Sequence, residues 1–173
     1  FYITVSLLII LGGIGFPILV NLKSAIFYYI RYGFSRIVRG KTPTRVPHLA
    51  HLNTKIAVSA TVILLVVGTV AIAITEWNGA FAGMSLSDKL IQSFFNATTP
   101  RTAGFNSVDI SHFSLLTLIL YIILMWIGGA SQSTAGGIKV NTIGVAFASF
   151  MSTVRDEKSV TMFNRTITDK SVK

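Results

Sequence analysis

Two stretches of this 173-residue chain carry residues whose types and spacing suit the handling of a dehydrated cation. The first is Thr102-Ala103-Gly104-Phe105-Asn106. A glycine-bearing loop between membrane-length apolar runs can turn its backbone carbonyls inward and replace a cation's water shell. Gly104 permits a backbone conformation that side-chain-bearing residues resist. The second is Gly128-Gly129-Ala130-Ser131-Gln132-Ser133-Thr134-Ala135-Gly136-Gly137, followed by Ile138 and Lys139. Its small residues suit an interrupted membrane helix. Close helix packing on small residues explains separated glycines, but poorly explains two Gly-Gly pairs flanking Ser and Thr. Lys139 has two readings: a functional group near the membrane interior, or a lysine that snorkels to the inner interface. Gly-Gly-Ile-Lys fails as a nucleotide loop, because Val140 follows the lysine and no strand precedes the glycines.

The elements around these stretches read as membrane spans. Half of the residues are hydrophobic and 12% are charged, and no Asp or Glu occurs before Glu76. Ile56 to Thr75 is uncharged and has about the ~20 residues that cross ~30 Å of hydrocarbon. Phe1 to Leu22 is a second such run, with aromatics continuing to Ile30, so 1–32 is expected to be one transmembrane helix. A cleaved leader would need a shorter apolar core and a small-residue cleavage site. The absence of cysteine excludes disulfides and thiolate metal sites.

The net charge of +9 is concentrated, which argues against nucleic acid as a partner. Lys23, Arg31, Arg36, Arg39, Lys41, Arg45 and Lys55 crowd the connection between the first two runs. Short basic loops stay inside, so 33–55 is expected to be cytoplasmic, near lipid headgroups. The span 56–77 then leaves toward the outside, ending with Glu76 and Trp77 at the outer interface, and 78–112 faces outward or dips back in.

Leu86 to Ala97 reads as a short helix capped by Ser85 or Ser87, with Asp88 near its positive end. Leu90 with Phe94, and Ile91 with Phe95, give it an apolar face. At ~18 Å it covers half a membrane, the size of a re-entrant pore helix over 86–98. A surface-lying amphipathic helix is the alternative. Thr98-Thr99-Pro100 is expected to stop it, leaving its negative pole beside a filter loop at 99–106. Irregular backbone at that depth must be buried in protein or line a watery cavity. Arg101 either braces the loop through a carboxylate or carbonyls or faces the outer vestibule, and the vestibule reading is preferred. Asn96-Ala-Thr98 matches a glycosylation acceptor, but a pore helix would make it inaccessible.

From Phe113 to Val154 the only charge is Lys139. One unbroken helix would run ~63 Å, twice the membrane, and two full spans would put Arg155 and Lys158 outside, against the positive-inside rule. A single broken crossing at 113–155, interrupted at 128–138, resolves this. Helix is expected to resume near Ile138 and lead into a cytoplasmic tail at 156–173.

These motifs resemble the Trk/Ktr/HKT potassium-uptake superfamily. Thr-Pro-Arg-Thr-Ala-Gly-Phe-Asn (99–106) and Gly-Gly-Ala-Ser-Gln-Ser-Thr-Ala-Gly-Gly-Ile-Lys (128–139) carry the likeness, with Gly12-Gly13-Ile14-Gly15-Phe16-Pro17 and His51-Leu52-Asn53-Thr54-Lys55. The resemblance implies an all-α integral membrane fold of four membrane–pore–membrane repeats. This chain would hold the end of the second repeat, the third, and the approach to the fourth, as a fragment. Filter residues would be Thr102, Ala103, Gly104 and Phe105, with potassium at the first three. Gly128, Gly129, Ser133, Thr134, Gly136, Gly137 and Lys139 would belong to a gating loop below the filter. Gln132 stands where many relatives carry another glycine. The resemblance further implies potassium uptake across the plasma membrane, a homodimer, the remaining repeats of the same polypeptide, a cytosolic nucleotide-binding regulatory subunit, and no covalent cofactor. A secondary transporter with a discontinuous helix would require acidic coupling residues that the spans lack. An enzyme would need a nucleophile–base pair, and His48, His51 and His112 lie away from any intramembrane carboxylate.

Overall fold

The structure is a computed structural model and describes residues 1–39, 52–155, 161–162 and 165–166. The described residues hold six α-helices: α1 (Tyr2–Ile14), α2 (Phe16–Arg39), α3 (Leu52–Glu76), α4 (Leu86–Thr98), α5 (Leu115–Trp126) and α6 (Val140–Val154). A two-residue antiparallel pair, Thr161–Met162 with Arg165–Thr166, is an exception to the all-α expectation.

The expected single helix over 1–32 is broken. α1 and α2 meet at Gly15 with a bend of 99°. Gly15 has φ 85 and ψ 146, outside the helical region. A Cβ there would also lie 2.8 Å from the Gln132 carbonyl oxygen, so glycine is required on two counts. Pro17 follows in the first turn of α2, where a missing N–H leaves no bond unmade.

The expected 33–55 loop is helical at both ends, since α2 runs to Arg39 and α3 starts at Leu52. The basic residues Lys41 and Arg45, and His48 and His51, lie outside the described residues. α3, with 25 residues, is long and apolar enough to cross a membrane, at ~37 Å of rise. It is the central element and touches all five other helices. Small residues let its neighbours approach. A Cβ on Gly68 would be 3.3 Å from the Ala97 Cβ of α4, and one on Gly144 of α6 would be 2.6 Å from Ile56 Cγ2. Two apolar clusters result, one around Ile14, Ile18, Ala57 and Val140, the other around Ile72, Phe81, Phe113 and Tyr121.

α4 starts and ends where the sequence suggests. Ser85 caps it by accepting the Asp88 N–H at 3.2 Å, and its hydroxyl donates to Asp88 at 2.7 Å. Its buried residues are largely polar (Gln92, Ser93, Asn96 and Thr98, with Phe95 and Ala97), whereas Leu90 is 51% exposed. Polar burial is tolerable because Ser93, Asn96 and Thr98 donate to carbonyls one turn back. The helical path does not stop at Thr98, as the Pro100 argument expects. Thr99 to Arg101 continue it as a 3-10 turn, with Pro100 in its first positions.

Candidate functional site

The loop after that turn is organised by one residue. The Thr99 carbonyl accepts the N–H groups of Thr102, Ala103 and Gly104 at 3.4, 3.0 and 2.9 Å. Its hydroxyl donates to the Phe105 carbonyl at 2.8 Å. Gly104 has φ 69, and a Cβ there would meet nothing within 4 Å. Thr102, Gly104 and Phe105 are exposed, and Ala103 is half-buried. The returning arm is tied down by Asn96, whose amide nitrogen donates to Ser107 Oγ at 3.0 Å and whose oxygen accepts the Tyr121 hydroxyl at 2.5 Å. Asn96 is 1% exposed, which agrees with discounting it as a sugar acceptor.

The second stretch is a loop with a closed neck. α5 ends at Trp126 and α6 starts at Val140, so the break is slightly longer than expected. Gly128 N–H donates to the Ile138 carbonyl at 2.9 Å, Ile138 N–H to Trp126 at 3.0 Å, and Val140 N–H to Gly129 at 3.1 Å. Glycine is what lets these strands meet. A Cβ on Gly128 would lie 1.6 Å from the Gly136 oxygen, and Gly137, at φ 72, is within 2.8 Å of Trp126 in the same sense. Beyond the neck, Ser133 donates through N and Oγ to the Ala130 carbonyl at 3.1 and 2.7 Å. Lys139, half-buried, donates its ammonium to the Ala135 carbonyl. Gln132, where the family resemblance expects glycine, is exposed and has φ 69.

The two loops meet over the end of α1. Ala130 N–H donates to the Gly13 carbonyl at 2.9 Å. A Cβ on Gly13 would touch Thr102 Cγ2 at 3.7 Å, and one on Gly12 would touch Thr134 Oγ1 at 3.6 Å. Arg101 does not face an open vestibule. It is 7% exposed, and its Nη2 donates to the Gly128 carbonyl at 3.4 Å. The vestibule reading is therefore corrected in favour of a brace on a carbonyl. Sequence reasoning assigned Gly12, Gly13 and Gly15 no role beyond resemblance. Three glycines within four positions at a helix end was the available signal.

A third connection holds the far end together. Glu76 is 1% exposed, and its carboxylate accepts Ser114 N–H at 2.9 Å, Ser114 Oγ at 2.7 Å, Ala80 N–H at 3.1 Å and the Thr117 hydroxyl. It thereby locks the end of α3 to the first turn of α5, where a carboxylate also meets the favourable end of the helix dipole. Lys89 donates to the Trp77 carbonyl at 2.6 Å and sits 4.9 Å from its ring, fixing the start of α4. Asp109 and His112 belong to an exposed turn. The Ser111 N–H and hydroxyl, with His112 nearby, hold the Asp109 carboxyl below its ordinary range. Among the described residues no group of three His, Cys, Asp or Glu is arranged to hold a metal ion.

One helix is long and apolar enough to cross a membrane, shorter helices expose apolar faces, and irregular backbone is packed between them, the pattern of a helical membrane protein. The whole chain, residues 1–173, matches the family described as "TrkH: Cation transport protein", and it belongs to that family. It is 37% identical over 166 residues to the Ktr system potassium uptake protein B of Vibrio alginolyticus, covering 95% of this chain and 33% of that protein. It is 35% identical over 169 residues to the potassium/sodium uptake protein NtpJ of Enterococcus hirae, covering 97% and 33%. The Ktr system potassium uptake protein B of Bacillus subtilis is 33% identical over 167 residues, covering 95% and 33%. The chain thus spans about a third of the length of these relatives.

Proposed function

We propose that this chain forms part of the pathway of a potassium-uptake transporter, with a channel-like pore. The observation that carries the reading is the Thr99 hub. One carbonyl gathers three successive N–H groups and leaves left-handed Gly104 beside open space, at the end of a half-membrane helix. α4 acts as a re-entrant pore helix whose negative end favours a cation. Backbone carbonyls of Thr102, Ala103 and Gly104, flanked by Phe105, replace potassium's hydration shell. The 128–138 loop gates the path. One such loop cannot surround an ion, so the remaining repeats of the same polypeptide supply the others.

The names of the relatives support this reading. Two are potassium uptake proteins of a Ktr system, and one is a potassium/sodium uptake protein. The assembly proposed is a plasma-membrane homodimer with a cytosolic nucleotide-binding regulatory subunit. The basic connection at 33–55 faces the cytoplasm and 78–112 the outside. Ser35→Cys should resist an impermeant thiol reagent on intact cells and Ser87→Cys, at an exposed position, should react; the reverse pattern overturns the orientation.

The test of the filter is Gly104→Asp in the full-length protein. Growth of a potassium-uptake-deficient strain at low external potassium should be lost while membrane expression is retained. With nothing near the added Cβ, the substitution adds only about 1–2 kcal/mol of left-handed strain, so expression is expected to survive. Full rescue by Gly104→Asp rules the glycine out of the filter.

A further inference from the structure

We propose that Arg101 is a positioning residue that holds the filter loop in register with the 128–138 loop. This rests on the filter and gate readings above. Arg101 immediately precedes Thr102, and its guanidinium reaches Gly128 across 27 residues of sequence. Gly128 is a fixed anchor, because it is zipped to Ile138 and pressed against Gly136. On the other side, Gly13 and Thr102 line one small cavity, and the Gly13 carbonyl accepts the Ala130 N–H at 2.9 Å. Filter loop, α1 and neck therefore lie side by side, and Arg101 supplies the charged link between the filter loop and the neck.

Stability alone does not account for a guanidinium here. A buried cation costs free energy unless it is paired, and an apolar side chain of similar size is often no worse. No acidic partner of Arg101 occurs among the described residues, and its Nε is buried without a hydrogen bond. Thr61 Oγ1 is in the same condition. Both residues line a cavity of about 10 Å³ with Ile9, Ile10, Gly13, Thr98 and Thr102, room for one water shared between the two groups. The value of the arginine lies in geometry: a fork that spans from the filter loop to the neck.

The test is a double-mutant cycle in the full-length transporter, reading the ratio of potassium to sodium uptake into proteoliposomes. Arg101→Met should insert normally and lower the ratio roughly tenfold, the effect of losing one bond to a charged group. With Gly128→Ala, whose Cβ would lie 1.6 Å from the Gly136 oxygen and so displaces the anchor, the same substitution should change the ratio by less than about twofold, since the guanidinium no longer meets a fixed carbonyl. Arg101→Lys keeps the charge but ends one bond short of an Nη2 that is already 3.4 Å from the carbonyl, so it should recover little of the lost ratio. An unchanged ratio in Arg101→Met overturns the proposal, and so does an undiminished effect in the Gly128→Ala background or a lysine that restores the full ratio. If Arg101→Met fails to insert, the lysine variant is compared across the two backgrounds instead, and an equal effect in both overturns the proposal. Gly104→Asp in the same assay separates the two readings. Selective uptake by that variant removes the filter, whereas its loss beside a silent Arg101→Met removes only the link.

Discussion

Gly128→Ala and Gly136→Ala are the same chemical change eight residues apart, and the loop's geometry gives them opposite outcomes. At Gly128 the new Cβ would fall 1.6 Å from the Gly136 oxygen. Carbon–oxygen contacts settle near ~3.3 Å, so the neck must open by roughly 1.7 Å. Three backbone bonds cross it, at 2.9, 3.0 and 3.1 Å, and that opening breaks at least two. Each contributes about 0.5–1.5 kcal/mol net, and each buried group left unpaired costs about 1–3 kcal/mol, so the loss is about 3–5 kcal/mol. That is a large share of the ~5–15 kcal/mol that typically holds a fold. At Gly136 an added Cβ meets nothing within 4 Å and the backbone is not left-handed. Alanine there should be neutral to about 1 kcal/mol stabilising, through the unfolded chain. Thermal unfolding of the purified full-length protein, followed by tryptophan fluorescence, compares the two. A midpoint for Gly128→Ala equal to that of the parent, or a Gly136→Ala loss as large, would refute the closed neck.

Two further changes probe other joints. Glu76→Gln should destabilise by about 2–3 kcal/mol, because an amide NH2 would face a donor where the carboxylate accepts Ser114, Thr117 and Ala80; an unchanged unfolding midpoint would count against the clamp. Gln132→Gly should relieve left-handed strain of about 1–2 kcal/mol, partly offset by the added freedom of the unfolded chain. Its midpoint should stay level or rise slightly, and a clear fall would mean that the glutamine side chain anchors the loop.

Local pattern carried some elements well. Ser85 marked the start of α4, and the two Gly-Gly pairs marked the break between α5 and α6; the apolar repeat did not mark the buried face of α4, which is largely polar, and a helical turn runs on past Thr98 to Arg101. What escaped were features whose cause lies far along the chain. Arg101 looked exposed because nothing near it in sequence could pair with it; its partner is Gly128. Glu76 read as an interfacial residue because Ser114 and Thr117 are 38 and 41 positions away. The bend at Gly15 lay inside an uncharged apolar run long enough to read as one span, although Gly12, Gly13, Gly15 and Pro17 cluster there. Only its contact with Gln132 explains why the chain turns there.

The glycines of this chain divide by what surrounds them, and the division limits how a gate in 128–138 can work. Gly15, Gly128, Gly129 and Gly137 are glycines because other backbone lies within 3 Å of where a Cβ would stand. They make rigid joints, not hinges. Ala135 is buried, and its carbonyl holds the Lys139 ammonium, so the return arm is fixed as well. What remains is the turn from Ser131 to Thr134, containing left-handed Gln132 and lying beside Gly12 of α1 and Gly15 at its end. A gating movement that preserves the neck must therefore turn over that tip, and its energy is set by contacts with α1. On the gating proposal, a partner that shifts α1 would act on the gate without touching the loop. Substitutions at Gly12 should accordingly alter uptake more than substitutions at Gly136, although Gly136 lies within the loop and Gly12 does not.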